Sequence, residues 1–267
     1  DNGAPLEGVT TILEDKSGVL WIGTSGQGLF RFRDGVFTTL MRKEGMVSNW
    51  ILALYEDNAG TLWIGTNGEG LNRIAKDRIT AIPTGVDVVK FTPDGPGASF
   101  ELPPEATGPL VGIIGVIRHA KGHGFLFEAM KQLAENGLPL RCVVVGEGPY
   151  RVYAEQRMRE LGLSGRVLFA GQREDVPAVL RALNVLAIPS LHEAIPQVGL
   201  QALAIKTPVV ASKVGGIPSI IRSGETGRLC APGDAASLAA ALREALTDLA
   251  TTHAMCERGR ELVVREH

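Results

Sequence analysis

The chain has 267 residues, 45% of them hydrophobic and 21% charged, the composition of a soluble globular protein and a length that suits one large domain or two small ones. Its formal net charge of −2 supplies no basic field, so nucleic acid is not an implied partner, and no apolar run reaches the roughly 20 residues that span a bilayer. Cys142, Cys230 and Cys256 lack CxxC or metal-like spacing and read as reduced structural thiols. The start, DNGAPLEGV, carries neither an initiator Met nor a charged-then-apolar leader and reads as a fragment or a processed end.

An internal repeat comes first. Residues 9–33, VTTILEDKSGVLWIGTSGQGLFRFR, return as residues 51–75, ILALYEDNAGTLWIGTNGEGLNRIA, a period of 42. Glu14-Asp15 aligns with Glu56-Asp57, Gly18 with Gly60, Trp21 with Trp63, and Gly28-Leu29 with Gly70-Leu71. Each unit reads as strand, tight turn, strand, glycine turn, strand. The alternation suits antiparallel pairing, with a tryptophan to pack between blades. Such a period belongs to propeller blades. The motif ED..G.LWIGT, followed by Gly-Gln-Gly-Leu or Gly-Glu-Gly-Leu, resembles the propeller repeats of two-component-regulator sensor regions. The resemblance implies blades of a large, ligand-recognising propeller. Residues 1–75 are expected to hold one and a half blades, too few for a ring of at least four. Their Gly and Trp residues read as structural, with docking on a partner through an exposed strand edge as the alternative.

The repeat ends abruptly. KDRITAIPTGVDVVKFTPD, from Lys76 to Asp94, reads as the entry to a second domain, 76–267, so the second blade is expected to lack its last strand. No Gly/Ser- or Pro-rich spacer separates the halves. The join reads as a gene fusion, an assembly artefact or a piece of a larger recombined sequence. After a Pro/Gly-rich loop, 94–108, strand and helix alternate at short spacing. The strands are PLVGIIGV, LRCVVVGEGP, RVLFAG and VLAIPS; the helices lie in HGFLFEAMKQLAENG, from about Tyr150 to Leu161, and in DVPAVLRAL. This pattern predicts a parallel sheet with helices on both faces. Two helical segments after Asp234 read as packing elements.

Residues 192–227, HEAIPQVGLQALAIKTPVVASKVGGIPSIIRSGETG, organise this half. Pro196 suits the first turn of a helix with Val198, Leu200, Leu203 and Ala204 on its apolar face. The start of that helix exposes unpaired N–H groups, a natural seat for a diphosphate. TPVVAS is the β-branched run of a buried parallel strand. Gly215-Gly216 follow at its carboxyl end, where open α/β sheets place ligands. The ordered series HEAIPQVGLQALA, TPVVASKVGGIP, GETGRL and PGD resembles the donor-binding half of a family 4 (group 1), GT-B-fold glycosyltransferase.

That resemblance implies an α/β, Rossmann-like donor domain over 76–267. It implies transfer of a hexosyl group from a nucleotide sugar to a glycan or lipid-linked acceptor, with retention of configuration and no cofactor or metal. The catalytic roles fall on Glu193, against the donor sugar hydroxyls, and on Arg118 and Lys121. The departing diphosphate gathers negative charge, which calls for cations and oriented N–H donors. Gly115, Gly146, Gly148, His192, Gln197, Gln201, Gly215 and Gly216 are placed around the donor, and Gly171, Gln172 and Arg173 near the base. Three positions depart from the family pattern. Val116 stands where the family Arg commonly follows the strand glycine, with Arg118 as its substitute. Gln201 replaces the second glutamate of a pair and can still bond a ribose hydroxyl through its amide. Ser219 stands where an acidic residue often follows the Gly-Gly turn. His119 and His123 read as polar loop residues.

A GT-B enzyme works in the cleft between two Rossmann-like domains, and here propeller sequence stands where the acceptor-binding domain would be. Donor binding with little or no transfer is therefore expected of this chain alone, with a separate acceptor-binding domain as partner. Membrane association is expected to be peripheral at most, and the location the cytoplasm or the inner face of the membrane. Two other readings stay open: a non-enzymatic sensor or interaction protein built on the repeats, and a GT-B-fold epimerase acting on a nucleotide sugar.

Overall fold

A computed structural model describes residues 6–267; residues 1–5, which open the stretch read as a fragment or processed end, lie outside the described residues. The chain divides into two compact units, Asp1–Gly85 and Val86–His267, with separate hydrophobic cores.

The first unit consists of two four-stranded antiparallel meanders: β1 (Val9–Glu14), β2 (Leu20–Thr24), β3 (Leu29–Arg33) and β4 (Val36–Leu40), then β5 (Ile51–Glu56), β6 (Leu62–Thr66), β7 (Gly70–Ala75) and β8 (Arg78–Pro83). The recurring Asp and Trp have one local cause. The Asp15 carboxylate accepts the backbone N–H groups of Ser17 and Val19 at 2.9 and 3.0 Å and the Trp21 indole N–H at 2.8 Å. Asp57 repeats the set with Ala59, Thr61 and Trp63 at 2.9, 2.9 and 3.0 Å. Each aspartate closes the turn between two strands and orients the tryptophan that follows it.

The second blade is complete, which corrects the one-and-a-half-blade reading. β8 pairs with β7 from Ala75↔Arg78 to Gly70↔Pro83, so the division falls after Gly85 and not after Ala75. The turn Lys76-Asp77, with φ 50° and 58°, takes the left-handed form that Asp34-Gly35 takes in the first blade with φ 51° and 79°. A two-residue hairpin turn of this hand needs positive φ at both positions, a demand usually advertised by Asn or Gly. A lysine does not advertise it. One core, including Trp21, Leu29, Met46, Ile51 and Ile64, is shared by the two sheets.

The second unit alternates strand and helix: β9 (Leu110–Ile114), α1 (His123–Glu135), β10 (Arg141–Val145), α2 (Arg151–Glu160), β11 (Val167–Gly171), α3 (Val176–Ala182), β12 (Val185–Ile188), α4 (Gln197–Ile205), β13 (Val209–Ser212), α5 (Ile217–Ile220), β14 (Arg228–Cys230), α6 (Ala235–Thr247) and α7 (Leu249–Glu266). The sheet runs β11-β10-β9-β12-β13-β14 with every pairing parallel. Runs such as Val143-Val144-Val145 are buried throughout, as a sheet covered on both faces requires. Leu126, Phe127 and Met130 of α1 pack with Leu238 and Leu242 of α6 in one cluster. Leu180 of α3, Leu200 and Leu203 of α4 and Val263 of α7 form the other. Pro196 is the N-cap of α4 and not a member of its first turn.

Strand order reverses between β9 and β12: β10 and β11 lie to one side, β13 and β14 to the other. Open parallel sheets bind ligands at the carboxyl ends of the strands at such a reversal. The three cysteines are buried and unpaired; burial pushes the Cys142 thiol up and the Cys256 thiol up to about 11. Among the described residues no helix is long and apolar enough to cross a membrane.

Candidate functional site

Two loops leave the sheet on either side of the reversal and are stitched together by their backbones. After β9 the chain runs through Gly115 to a single 3-10 turn, His119–Lys121. After β12 it runs through Pro189 and Ser190 toward α4. The Leu191 N–H donates to the Ala120 carbonyl at 2.8 Å. Gly122, at φ +73°, comes so near the second loop that a Cβ there would lie 1.9 Å from the Pro189 oxygen.

This seam brings together residues that are far apart in sequence. The Lys121 Nζ lies 2.5 Å from Glu193 Oε2, and the Ser190 hydroxyl donates to the same oxygen at 3.2 Å. Their side chains retain 30% and 15% exposure, for Lys121 and Glu193 respectively, so the pair is largely withdrawn from water. Glu193 is held in turn from β13. Gly215, at φ +52°, sits where a Cβ would stand 1.6 Å from the Glu193 carbonyl oxygen, and the Gly216 N–H donates to the Ala194 carbonyl at 2.8 Å.

Gly146 and Gly148 do the same for the β9 loop. Their added Cβ atoms would stand 2.0 Å from the Gly115 oxygen and 2.3 Å from the Ile117 oxygen, and the Ile117 N–H donates to the Glu147 carbonyl at 3.0 Å. These glycines allow backbones to touch. Sequence alone assigned them to the donor; their contacts in the structure are with the loops that carry Arg118 and Glu193.

The other expected site residues are spread around this centre. Arg118 is exposed at the head of the 3-10 turn, and His192 is exposed beside Glu193. Gln197 is the exposed first residue of α4, and half-buried Gln201 follows one turn later. The first turn of α4 has no side-chain cap. Gly171, Gln172 and Arg173 stand apart, at the end of β11, two strands from β9. The Gly171 carbonyl accepts the Gly146 N–H at 2.7 Å, whereas Arg173 is turned to Asp175 at 2.6 Å and over the Phe100 ring at 5.7 Å.

Two members of the centre were not anticipated. Ser190 lies at the carboxyl end of β12, and that position was the one sequence signal for it. His123 opens α1 as a core residue rather than a loop residue, 2% exposed. Burial first, and then the Lys121 charge, hold its imidazole down to about 4 against the opposing pull of the Arg118 backbone, so it is neutral near pH 7. Its Nδ1 has no hydrogen-bond partner among the described residues. Gly115, Lys121, His123, Ser190 and Pro196 line one narrow cleft. A larger cavity of about 300 Å³ opens between α1 and α2, beside His119 and Tyr150, and includes neither Lys121 nor Glu193.

Residues 98–262 match the family described as glycosyl transferases group 1, more than half of the chain. The chain belongs to the group 1 glycosyl transferases. Residues 3–26 and 45–68 match the two component regulator propeller. Among curated relatives, the 2-deoxystreptamine glucosyltransferase of Streptomyces kanamyceticus is 36% identical over 192 residues, covering 71% of this chain and 48% of that protein. The C-terminal domain of a group 1 glycosyl transferase (LpcC) from Francisella tularensis is 27% identical with a TM-score of 0.58, covering 68% of this chain and 98% of that one. Anabaena HepE, solved in complex with UDP-glucose, shares the fold at 24% identity and a TM-score of 0.62, over 70% of this chain and 53% of that one. The chain spans about half the length of the curated relatives it matches. What it shares with this group 1 family is the α/β unit.

Proposed function

We propose that residues 86–267 are the donor-binding half of a retaining glycosyltransferase that uses a nucleotide diphosphate sugar. The observation that carries the reading is the Lys121–Glu193 contact at 2.5 Å, set at the strand-order reversal of a parallel sheet. A cation and a carboxylate fixed at that point suit the two ends of such a donor. Lys121 meets the diphosphate and Glu193 accepts from the sugar hydroxyls. Each now satisfies the other, so neither charge is left without a partner as it is drawn from water. Donor entry exchanges these contacts, phosphate oxygens taking the ammonium and sugar hydroxyls taking the carboxylate.

Arg118, exposed on the same loop, adds the second cation for the charge that grows on the leaving diphosphate. The uncapped start of α4 adds oriented N–H groups beside it. Gln201 is assigned to the ribose, and Gly171 to Arg173 to the base. UDP-glucose in Anabaena HepE and the glucosyltransferase name of the Streptomyces relative support a UDP-hexose among the donors to try. The acceptor surface, for a glycan or a lipid-linked saccharide, belongs to the half of the relatives that this chain does not cover. This chain alone therefore binds donor and transfers little, even at saturating donor.

Calorimetric titration of the chain with UDP, GDP and ADP tests this. One nucleotide should bind saturably, and Lys121→Ala should weaken it by about 10-fold or more, the worth of one charge-assisted contact. Binding of none of the three, or equal affinity in Lys121→Ala, would overturn the assignment.

A further inference from the structure

We propose that the cavity between α1 and α2 is a saccharide site separate from the donor cleft, taking a neutral sugar of one or two hexopyranose rings. It stands on the second unit alone and does not depend on the donor assignment.

One wall of the cavity is aromatic and held in place. Tyr150 is the N-cap of α2. Its N–H donates to the Ile117 carbonyl at 3.1 Å, and its ring packs against the core of the unit. Tyr153 stacks on Tyr150 with ring centroids 5.3 Å apart and planes 22° apart, and His119 meets Tyr150 edge-on at 5.4 Å. Tyr153 is nevertheless 62% exposed, so the stack fixes an aromatic ring that remains open to a ligand.

Gly124 of α1 keeps the space beside these rings free. Outside its own helix, a Cβ there would meet nothing nearer than Arg157 Cγ, at 4.0 Å. The resulting volume, about 300 Å³, is that of a small-molecule site at the low end of the range. The polar lining has capacity to spare. Arg157 donates to Glu128 Oε1 at 2.9 Å and to Glu160 Oε2 at 3.1 Å. Glu128 Oε2 and both tyrosine hydroxyls have no hydrogen-bond partner among the described residues.

This lining selects by charge and by shape. Two carboxylates share one guanidinium, so a phosphate or a nucleotide finds no unshared arginine or lysine here. A pyranose brings what the cavity lacks. Its C–H face covers the electron-rich face of an aromatic ring. Its hydroxyls donate to the open carboxylate oxygen and exchange hydrogen bonds with the phenols. The 3-10 turn His119–Lys121 serves both places, giving His119 to this cavity and Lys121 to the donor cleft.

Saturation-transfer NMR and calorimetry of the full chain with maltose and with cellobiose, each in the millimolar range, test this. Tyr153→Ala removes the open ring, and Gly124→Leu fills the cavity without touching a polar group. Circular dichroism checks that both variants fold. At least one disaccharide should bind saturably to the parent chain. Tyr153→Ala should weaken it by about 10-fold or more, the worth of one covered aromatic face, and Gly124→Leu should abolish it. UDP should not displace the sugar, and neither variant should change UDP affinity. Failure of UDP to bind at all would sink the donor assignment and leave these sugar titrations decisive. Binding of neither disaccharide, or equal binding by both variants, would overturn the proposal. So would displacement by UDP, which would place the sugar in the donor cleft, or loss of UDP affinity in Tyr153→Ala, which would give the tyrosines to a nucleobase.

Discussion

Lys121 and Glu193 illustrate how a site can be poised by mutual satisfaction. Each group, 30% and 15% exposed, would be costly to leave alone in that position, and each has the other. Replacing Glu193 by Gln removes the anion that competes for Lys121. Titration of Glu193→Gln should show nucleotide diphosphate affinity retained or improved. The extra affinity that the sugar confers should fall by about 10-fold, since a hydrogen bond to a charged acceptor contributes roughly 1.5–3 kcal/mol.

His123 makes a different statement at the same scale. Its folded pKa, about 4, lies below the unfolded value of 6.5 because the imidazole is buried and faces Lys121. Between these two values the unfolded chain binds more protons than the folded one, so stability rises with pH through that window and is lost as pH falls from 6.5 toward 4. The magnitude is about 3 kcal/mol at full protonation. Denaturant unfolding of the second unit at pH 7 and pH 4 should show a smaller loss in His123→Gln than in the parent chain. An unchanged loss would assign the acid sensitivity to other groups.

Elements matter here mainly through their ends. The carboxyl ends of β9, β10, β12 and β13 carry the working loops, and glycines at those ends let one loop lie on another. Gly215→Ala places a Cβ against the Glu193 carbonyl in a backbone conformation, φ +52°, that alanine rarely adopts. Strain of this kind costs about 1–3 kcal/mol. The variant should lose stability in the second unit and weaken donor binding together, because the Glu193 loop must move. The blades offer the opposite experiment. Lys76-Asp77 holds a left-handed turn with a lysine, which disfavours it, and an aspartate, which tolerates it less well than glycine, so Asn-Gly at these positions should raise the stability of the first unit by about 1 kcal/mol. Thermal unfolding of that unit reads the gain.

At the scale of the whole molecule the two units have separate cores, so residues 86–267 should fold without residues 1–85. The LpcC domain offers a parallel, since 98% of that crystallised C-terminal domain is matched here. Circular dichroism of the isolated segment should show a cooperative helix-containing transition, with nucleotide affinity within about twofold of the full chain. Loss of that transition on removing residues 1–85 would make the propeller unit part of the stability of the other.

Much of this protein was legible in the order of its residues. The 42-residue repeat needs only counting. The alternation of strand and helix after residue 109 follows from short β-branched runs and apolar faces at helical spacing, which are local properties. HEAIPQVGLQALA with TPVVASKVGG could be read as helix start, strand and glycine turn because these are consecutive in the chain, and its resemblance to the group 1 glycosyltransferases is what pointed to a donor. Tertiary structure decided what depends on contact between distant segments. Lys121 and Glu193 meet across a separation of 72 residues because the Leu191 N–H reaches Ala120 and Gly122 lies on Pro189, and no local pattern records that seam. The burial of His123 depends on what surrounds the start of α1, and the completion of the second blade on a left-handed turn that a lysine does not announce. The neighbours of a residue fix its charge and its contacts, and those neighbours are set by the packed chain.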